Sequence, residues 1–261
     1  MLSPFVLVDS LHGPLIVSIM DTGVSERVCA VGTHELWMID MVRAISEIKR
    51  RERGGPITVV DVGANFGVNV IAWAKHMRGW GQVIAFEPQE RVYYALAGNI
   101  ALNNCINATA LNVAVGDKPG IVEIPRPNYY QPHNLGGMSC IPDYIGDEDR
   151  AKITQWAEVQ LITLDSVGLN RPDIIKIDVE GMEPEVLIGS QETLRKSRPI
   201  VIAEQRTRSM PEIACHLHKY ECWPLDMQNI IAWHNEDPSA DLIRKLVQDY
   251  RIKQLGEPTN E

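Results

Sequence analysis

Cysteine is scarce in this chain, and what is present forms no pair. Cys29, Cys105, Cys140, Cys215 and Cys222 are five in number, with no C-x-x-C spacing. In a chain this long that excludes a disulfide framework and leaves reduced thiols in a cytoplasm as the expectation. Basic charge is also short: 25 Lys+Arg stand against 34 Asp+Glu, a net charge of −9. The longest basic run is Lys49, Arg50, Arg51 and Arg53, so nucleic acid is not an expected partner. No stretch reaches the ~20 apolar residues of a membrane span. Residues 1–20 carry Asp9 and His12 without a basic leading region, which does not fit a signal peptide. Internal repeats and a Pro/Gly/Ser-rich linker are absent as well. With 45% hydrophobic residues in 261, one sizeable core and a single domain over 1–261 are expected.

What is present is an alternation. Short β-branched runs at 57–62, 82–86, 108–115, 173–177 and 199–203 read as buried strands. Between them, Val70, Ile71, Ala74 and Met77 share a helical face, as do Val92, Leu96, Ile100 and Asn103, and later Val186, Leu187 and Leu194. Near-continuous apolar strands separated by helices imply a mostly parallel sheet covered on both faces, a doubly wound α/β fold. Residues 1–35 suggest an N-terminal β-hairpin around Asp21-Thr22-Gly23. Residues 126–157 read as an insertion after the third strand, with strand-like arms at 120–125 and 158–164. Its position over the crevice makes it the expected acceptor-selecting lid. In 206–261, residues 222–226 and 230–233 suggest a closing hairpin and 237–254 a final helix.

The most informative segment is Val59-Val60-Asp61-Val62-Gly63-Ala64-Asn65-Phe66-Gly67, a buried strand passing through glycines into a helix. Gly63 permits a tight turn and backbone approach to a ligand; Gly67 lets the helix start close to the sheet. The next strand ends Ala85-Phe86-Glu87-Pro88, placing a carboxylate where nucleotide folds bind ribose. A nicotinamide site would carry G-x-G-x-x-G, but position 65 is Asn and Asp61 precedes the turn. The pattern D-x-G-x-x-x-G is similar to the first motif of class I S-adenosylmethionine-dependent methyltransferases.

Further segments follow in order: Asn99-Ile100-Ala101-Leu102-Asn103, Ala114-Val115-Gly116-Asp117, Thr163-Leu164-Asp165, then Ile175-Lys176-Ile177-Asp178-Val179-Glu180-Gly181-Met182-Glu183 and Val186-Leu187-Ile188-Gly189. From about residue 34 to 205 the series resembles the FkbM family of S-adenosylmethionine-dependent methyltransferases. The resemblance implies O-methylation of a hydroxyl on a sugar, glycan or natural-product small molecule, with S-adenosyl-L-methionine as cofactor. It places Asp61, Gly63 and Ala64 at the methionine end of the cofactor, with Asn65 and Gly67 in the same turn. It sets Glu87, beside Pro88, on the ribose hydroxyls and Ala114, Val115 and Asp117 near the adenine. Asp178 and Glu180 would lie beside the transferable methyl. His34-Glu35 resembles the family's Tyr-Glu, with His in place of Tyr.

Methyl transfer to an alcohol needs alignment and is helped by a base, which contributes roughly 10²–10⁴-fold. Asp178, Glu180 and Glu204 end strands in the expected crevice and are the candidates, with His133 as an alternative base. Strand alternation would point Asp178 and Glu180 to one side and Val179 to the other. Such a pair suits a shared proton or a hard cation such as Mg²⁺, which the chemistry does not require. Glu35, Asn134, Gly136 and Gly137 are the expected acceptor contacts. Tyr129, Tyr130 and Tyr144 either stack on a substrate ring or pack the arm. Glu183, before Pro184, reads as a cap of the next helix. Cys215, His216, His218 and Cys222 lack zinc-site spacing and read as one face of an amphipathic helix. Amine methylation of a nucleobase is the competing activity, but the fourth strand lacks Asn/Asp-Pro-Pro-Tyr/Phe. A non-catalytic cofactor-binding module is the remaining alternative.

Overall fold

The computed structural model describes residues 3–205 and 209–255. Strands β1 (Phe5–Val8) and β2 (Leu15–Ser18) pair antiparallel, Phe5 opposite Ser18. The N-terminal hairpin is therefore present, but its turn lies within 9–14. Asp21 instead starts a helix, α1 (Val24–Val31), its carboxylate accepting the N–H groups of Gly23 (3.3 Å) and Ser25 (2.6 Å). Helix α2 (Leu36–Arg53) buries Met38, Ile39, Val42 and Ile45, the 3–4 residue spacing of one helical face.

The chain then alternates as expected: β3 (Ile57–Val62), α3 (Val68–His76), β4 (Gly81–Phe86), α4 (Glu90–Leu102) and β5 (Ala108–Leu111). The run 108–115 is not one strand. At Asn112 the side chain donates to the carbonyls of Glu87 (2.8 Å) and Pro88 (3.0 Å), and the chain leaves the sheet. Residues Ala114–Val115 (β6) join a second sheet with β7 (Gly120–Pro127) and, after the short helix α5 (Asp147–Arg150), β8 (Ile153–Ile162). Strands β7 and β8 form the antiparallel arm, with Gly120 opposite Leu161.

The remaining elements are β9 (Ile174–Ile177), α6 (Glu183–Ile188), α7 (Gln191–Ser197), β10 (Ile200–Glu204), α8 (Met210–Ala214), β11 (Tyr220–Pro224), β12 (Asn229–His234) and α9 (Ala240–Leu255). The helix expected over 186–194 is thus two. That expected through Cys215 stops at Ala214, though Ile213 and Leu217 are buried. The closing hairpin and last helix are present; residues 206–208 and 256–261 of the C-terminal region lie outside the described residues.

The main sheet has seven strands in the order β11-β12-β10-β9-β3-β4-β5. Strand β12 pairs antiparallel with both neighbours and the other pairs are parallel, so β12 alone runs against the rest. Alternate residues enter opposite cores, as the pleat dictates. Ile57, Val59, Ile174, Ile200 and Ile202 pack on the side of α2, α3 and α9. Val60, Val62, Ile175, Ile177 and Val201 pack on the side of α6 and α7. The fold is doubly wound α/β with a mostly parallel sheet, as the sequence pattern implied.

Candidate functional site

A cleft of about 260 Å³ opens beyond the carboxyl ends of β3, β4, β9 and β10, where open α/β sheets bind ligands. The β3 turn forms its floor. Gly63 stands at φ 85°, and a Cβ there would lie 1.8 Å from the Asp178 carbonyl oxygen. Its glycine is needed for the crossing of two strand ends, not only for a ligand. Gly67, at φ 81°, faces Leu96 of α4, whose Cδ1 would lie 2.4 Å from an added Cβ. The helix starts close to a neighbouring helix as much as to the sheet. Asn65 adopts φ 50°, a conformation Asn tolerates better than most residues.

Glu87 sits at the end of β4, almost fully buried, and still borders the cleft. Its Oε2 accepts the Asn65 N–H at 2.9 Å and its Oε1 the Gln89 N–H at 2.8 Å. A carboxylate accepts about four hydrogen bonds, so each oxygen keeps capacity toward the cleft. Burial pushes this carboxyl up to about 7, against the two N–H bonds.

The sequence reading missed Lys176. It is the Cα partner of Asp61 in the parallel register of β9 and β3, so both side chains enter the same face. Its buried ammonium lies 3.3 Å from Asp61 Oδ1 and 3.1 Å from Asp178 Oδ2, and it donates to the Gly63 carbonyl at 3.2 Å. Burial acts to lower its pKa, but Asp178, Asp61 and Glu35 outweigh burial and hold it above the usual lysine value. One cation thereby joins β3, the glycine turn and the end of β9. Asp61 is wholly buried behind this cation and does not itself border the cleft.

Asp178 and Glu180 both border the cleft, but not by strand alternation. Strand β9 ends at Ile177, Glu180 takes φ 55°, and Val179 borders the cleft too. The turn is held by Glu183. Its Oε1 accepts the N–H groups of Val179 (3.0 Å) and Gly181 (3.1 Å), so this residue organises the preceding turn instead of capping α6. Glu204 ends β10 and faces the same space. Asp178, Glu180 and Glu204 each offer an oxygen within 4.8 Å of the others, the one such grouping of His, Cys, Asp and Glu among the described residues. A divalent cation fits that donor set. Cys215, His216, His218 and Cys222 form no such group.

Glu35 also borders the cleft, just ahead of α2 at φ 46°. Burial and then the charge of Asp178 push its carboxyl up to about 7. Its neighbour His34, 3.9 Å away, is kept toward the neutral imidazole chiefly by burial.

Of the remaining nominated residues, Ala64, Asn65, Pro88, Ala114, Val115, Asn134 and Gly136 border the cleft, whereas Asp117, Gly137 and His133 do not. His133 is buried in the insertion, its Nδ1 2.6 Å from the Gln131 carbonyl, which turns it away from a role as base. Tyr129 packs against Phe5 and His133. Met138, Cys140, Met182 and Gln228 complete the walls without having been expected. They arrive from the insertion, the turn after β9 and the β11–β12 turn, with no local motif to mark them. Among the described residues, no helix is long and apolar enough to cross a membrane.

Residues 61–251 match the family model described as the methyltransferase FkbM domain. Methyltransferase sdnD of Sordaria araneosa is 28% identical over 166 residues, 51% of this chain and 60% of that protein. The FkbM methyltransferase structure from Methylobacillus flagellatus KT aligns at TM-score 0.48 and 16% identity, covering 69% of this chain and 44% of that one. Magnesium protoporphyrin IX methyltransferase (ChlM) from Synechocystis PCC 6803, solved with bound SAM, aligns at TM-score 0.42 and 9% identity over 76% and 78% of the two chains. The chain therefore spans less than two thirds of the curated relative and less than half of the FkbM structure. The family model, by contrast, runs from Asp61, near the end of β3, into the last helix, and takes in the carboxyl ends of the strands that border the cleft. On that match, the chain belongs to the FkbM methyltransferase family.

Proposed function

We propose that this protein is an S-adenosylmethionine-dependent methyltransferase acting on a hydroxyl of a sugar, glycan or natural-product small molecule. The observation that carries the reading is one cleft bordered both by the Gly63 turn with Glu87 and by four further carboxylates, Glu35, Asp178, Glu180 and Glu204. Glu87 would take the ribose hydroxyls with its unused acceptor capacity, and the β3 turn would lie along the methionine end. Ala114 and Val115 would flank the adenine. The bound cofactor supplies an electrophilic methyl group. The chain's own work is then to align an acceptor oxygen, exclude water and receive a proton. Alignment alone contributes ~7–11 kcal/mol in favourable cases. Glu35 titrates near neutrality, where a general base is most effective, and Asp178 is fixed by Lys176 as an orienting anion beside it.

Calorimetry with S-adenosylhomocysteine tests the cofactor, and mass spectrometry for gain of one methylene on candidate glycans and metabolites tests the transfer. At least one of Glu35→Gln, Asp178→Asn and Glu180→Gln should lower turnover about 10²-fold while leaving product affinity within a few-fold. Parental turnover in all three would place the base elsewhere, and binding of NAD in place of S-adenosylhomocysteine would overturn the whole reading.

A further inference from the structure

The cleft has a wall whose attachment is not part of the methyl-transfer reading. Asn134, Gly136, Met138 and Cys140 of the insertion border the cleft beside Gly23 and Val24 of the N-terminal segment. These segments meet at Asp21, 114 residues from its partner Leu135 in sequence. The Asp21 carboxylate is nearly fully buried. Its Oδ1 accepts the N–H of Leu135 at 2.9 Å and of Gly23 at 3.3 Å, and its Oδ2 accepts that of Ser25 at 2.6 Å. Backbone bonds on either side reinforce the junction: Thr22 N–H to the His133 carbonyl and His133 N–H to the Met20 carbonyl, each 3.0 Å. Leu135 is wholly buried in the main core, flanked by the two cleft residues Asn134 and Gly136. From the other side, the Gln89 side-chain amide donates to the Leu135 carbonyl at 2.8 Å, and the Gln89 backbone N–H donates to Glu87. Glu87, Gln89, Leu135 and Asp21 thus form one continuous chain of hydrogen bonds.

We propose that Asp21 is a positioning residue: a buried clasp that fixes the insertion against the N-terminal segment and so sets the acceptor wall of the cleft. A carboxylate suits the task because it accepts from both segments at once and has no hydrogen to conflict with their N–H groups. An amide at this position would turn a donor toward one of them and leave a buried N–H unsatisfied. The consequence for function rests on the methyltransferase reading; the clasp itself does not, and its test is independent of cofactor and acceptor.

Cys140 is the reporter. It stands on the clasped wall, half-buried, with its thiol pushed up to about 12 mainly by burial, so it should react slowly with iodoacetamide. Cys105, buried in the main core, reports opening of the fold as a whole. Labelling of the ligand-free protein, resolved by peptide mass spectrometry, should show Cys140 reacting at least about tenfold faster in Asp21→Asn while Cys105 keeps its parental rate. Gln89→Leu, which cuts the same chain at its other end, should accelerate Cys140 selectively too, and it carries the test if Asp21→Asn does not fold. An unchanged Cys140 rate, or acceleration of Cys105 alongside it, would overturn the clasp. S-adenosylhomocysteine failing to bind the parent would overturn the proposed activity and leave these rates as informative as before.

Discussion

Lys176 is the residue on which the geometry of the cleft turns, and its energetics follow from burial. An ammonium and the Asp61 carboxylate removed from water are tolerable only together. Replacing Lys176 by Met keeps the volume and strands Asp61 as a wholly buried, unpaired carboxylate. Urea denaturation should show a loss of about 3–5 kcal/mol, with part recovered in Lys176→Met/Asp61→Asn, where neither charge remains. A loss in the double variant equal to the sum of the Lys176→Met and Asp61→Asn losses would show the pair to be energetically uncoupled. Glu87 carries a second expectation at this scale. Burial raises its carboxyl to about 7, so the folded chain holds that proton more tightly than the unfolded one. The cost of ionising it is absent below its ordinary value of 4.5 and grows as pH rises toward 7. In the proposed role a ribose diol binds the ionised form, so affinity for S-adenosylhomocysteine should rise about tenfold from about pH 6 to about pH 8. Calorimetry across that range should find the rise gone in Glu87→Gln. A rise that survives there would belong to Glu35.

Elements explain which of these residues the sequence disclosed. Gly63, Ala64, Asn65 and Gly67 were legible because they follow one another through a single strand–turn–helix unit, and Glu87 because it ends the next strand. Where a site residue depends on the pairing of distant elements, local pattern is silent about its partner. Lys176 did leave a trace: a lone cation in Ile174–Ile177 and a lone anion in Ile57–Val62 are each anomalous in a fully buried strand. Parallel register brings them opposite one another, and strand order could have suggested it. Alternation failed at Asp178 and Glu180 because it holds only while the strand lasts, and Glu183 has already drawn the backbone into a turn. It failed over 108–115 for a related reason, since the Asn112 side chain diverts a run whose apolar residues continue on both sides of it. Asp21-Thr22-Gly23 has the composition of a hairpin turn, yet a carboxylate ahead of free N–H groups equally starts a helix. Here it starts a helix, and Leu135, far away in sequence, gives that carboxylate a further donor.

At the scale of the whole molecule, the question is whether the N-terminal hairpin is an appendage to the sheet or part of its support. The family model begins at residue 61, so the hairpin lies outside it. Its contacts say support. Leu15 and Val17 are wholly buried in the main core. Asn99 of α4, itself wholly buried, accepts the Ile16 N–H at 2.6 Å and donates to the carbonyls of Ile16 (3.0 Å) and Phe66 (2.9 Å). It therefore locks β2 to the helix that follows Glu87 and to the turn that follows Gly63. Asn103 adds a bond to the Pro14 carbonyl and Lys75 one to that of His12. Removing residues 1–33 would expose the surface that Leu15 and Val17 cover, at ~1.5–3 kcal/mol for each side chain, and would leave part of Asn99 unsatisfied. Against a total stability of ~5–15 kcal/mol for a typical domain, that is a large fraction. The truncated chain should unfold at a clearly lower urea concentration. S-adenosylhomocysteine should also raise its melting temperature less than the parent's, because the β3 turn, proposed to receive the cofactor, loses its brace at Phe66. A truncated chain with the parental urea midpoint and the parental ligand-induced shift would mean that the sheet positions the cofactor turn unaided, and that the hairpin serves only the wall held by Asp21.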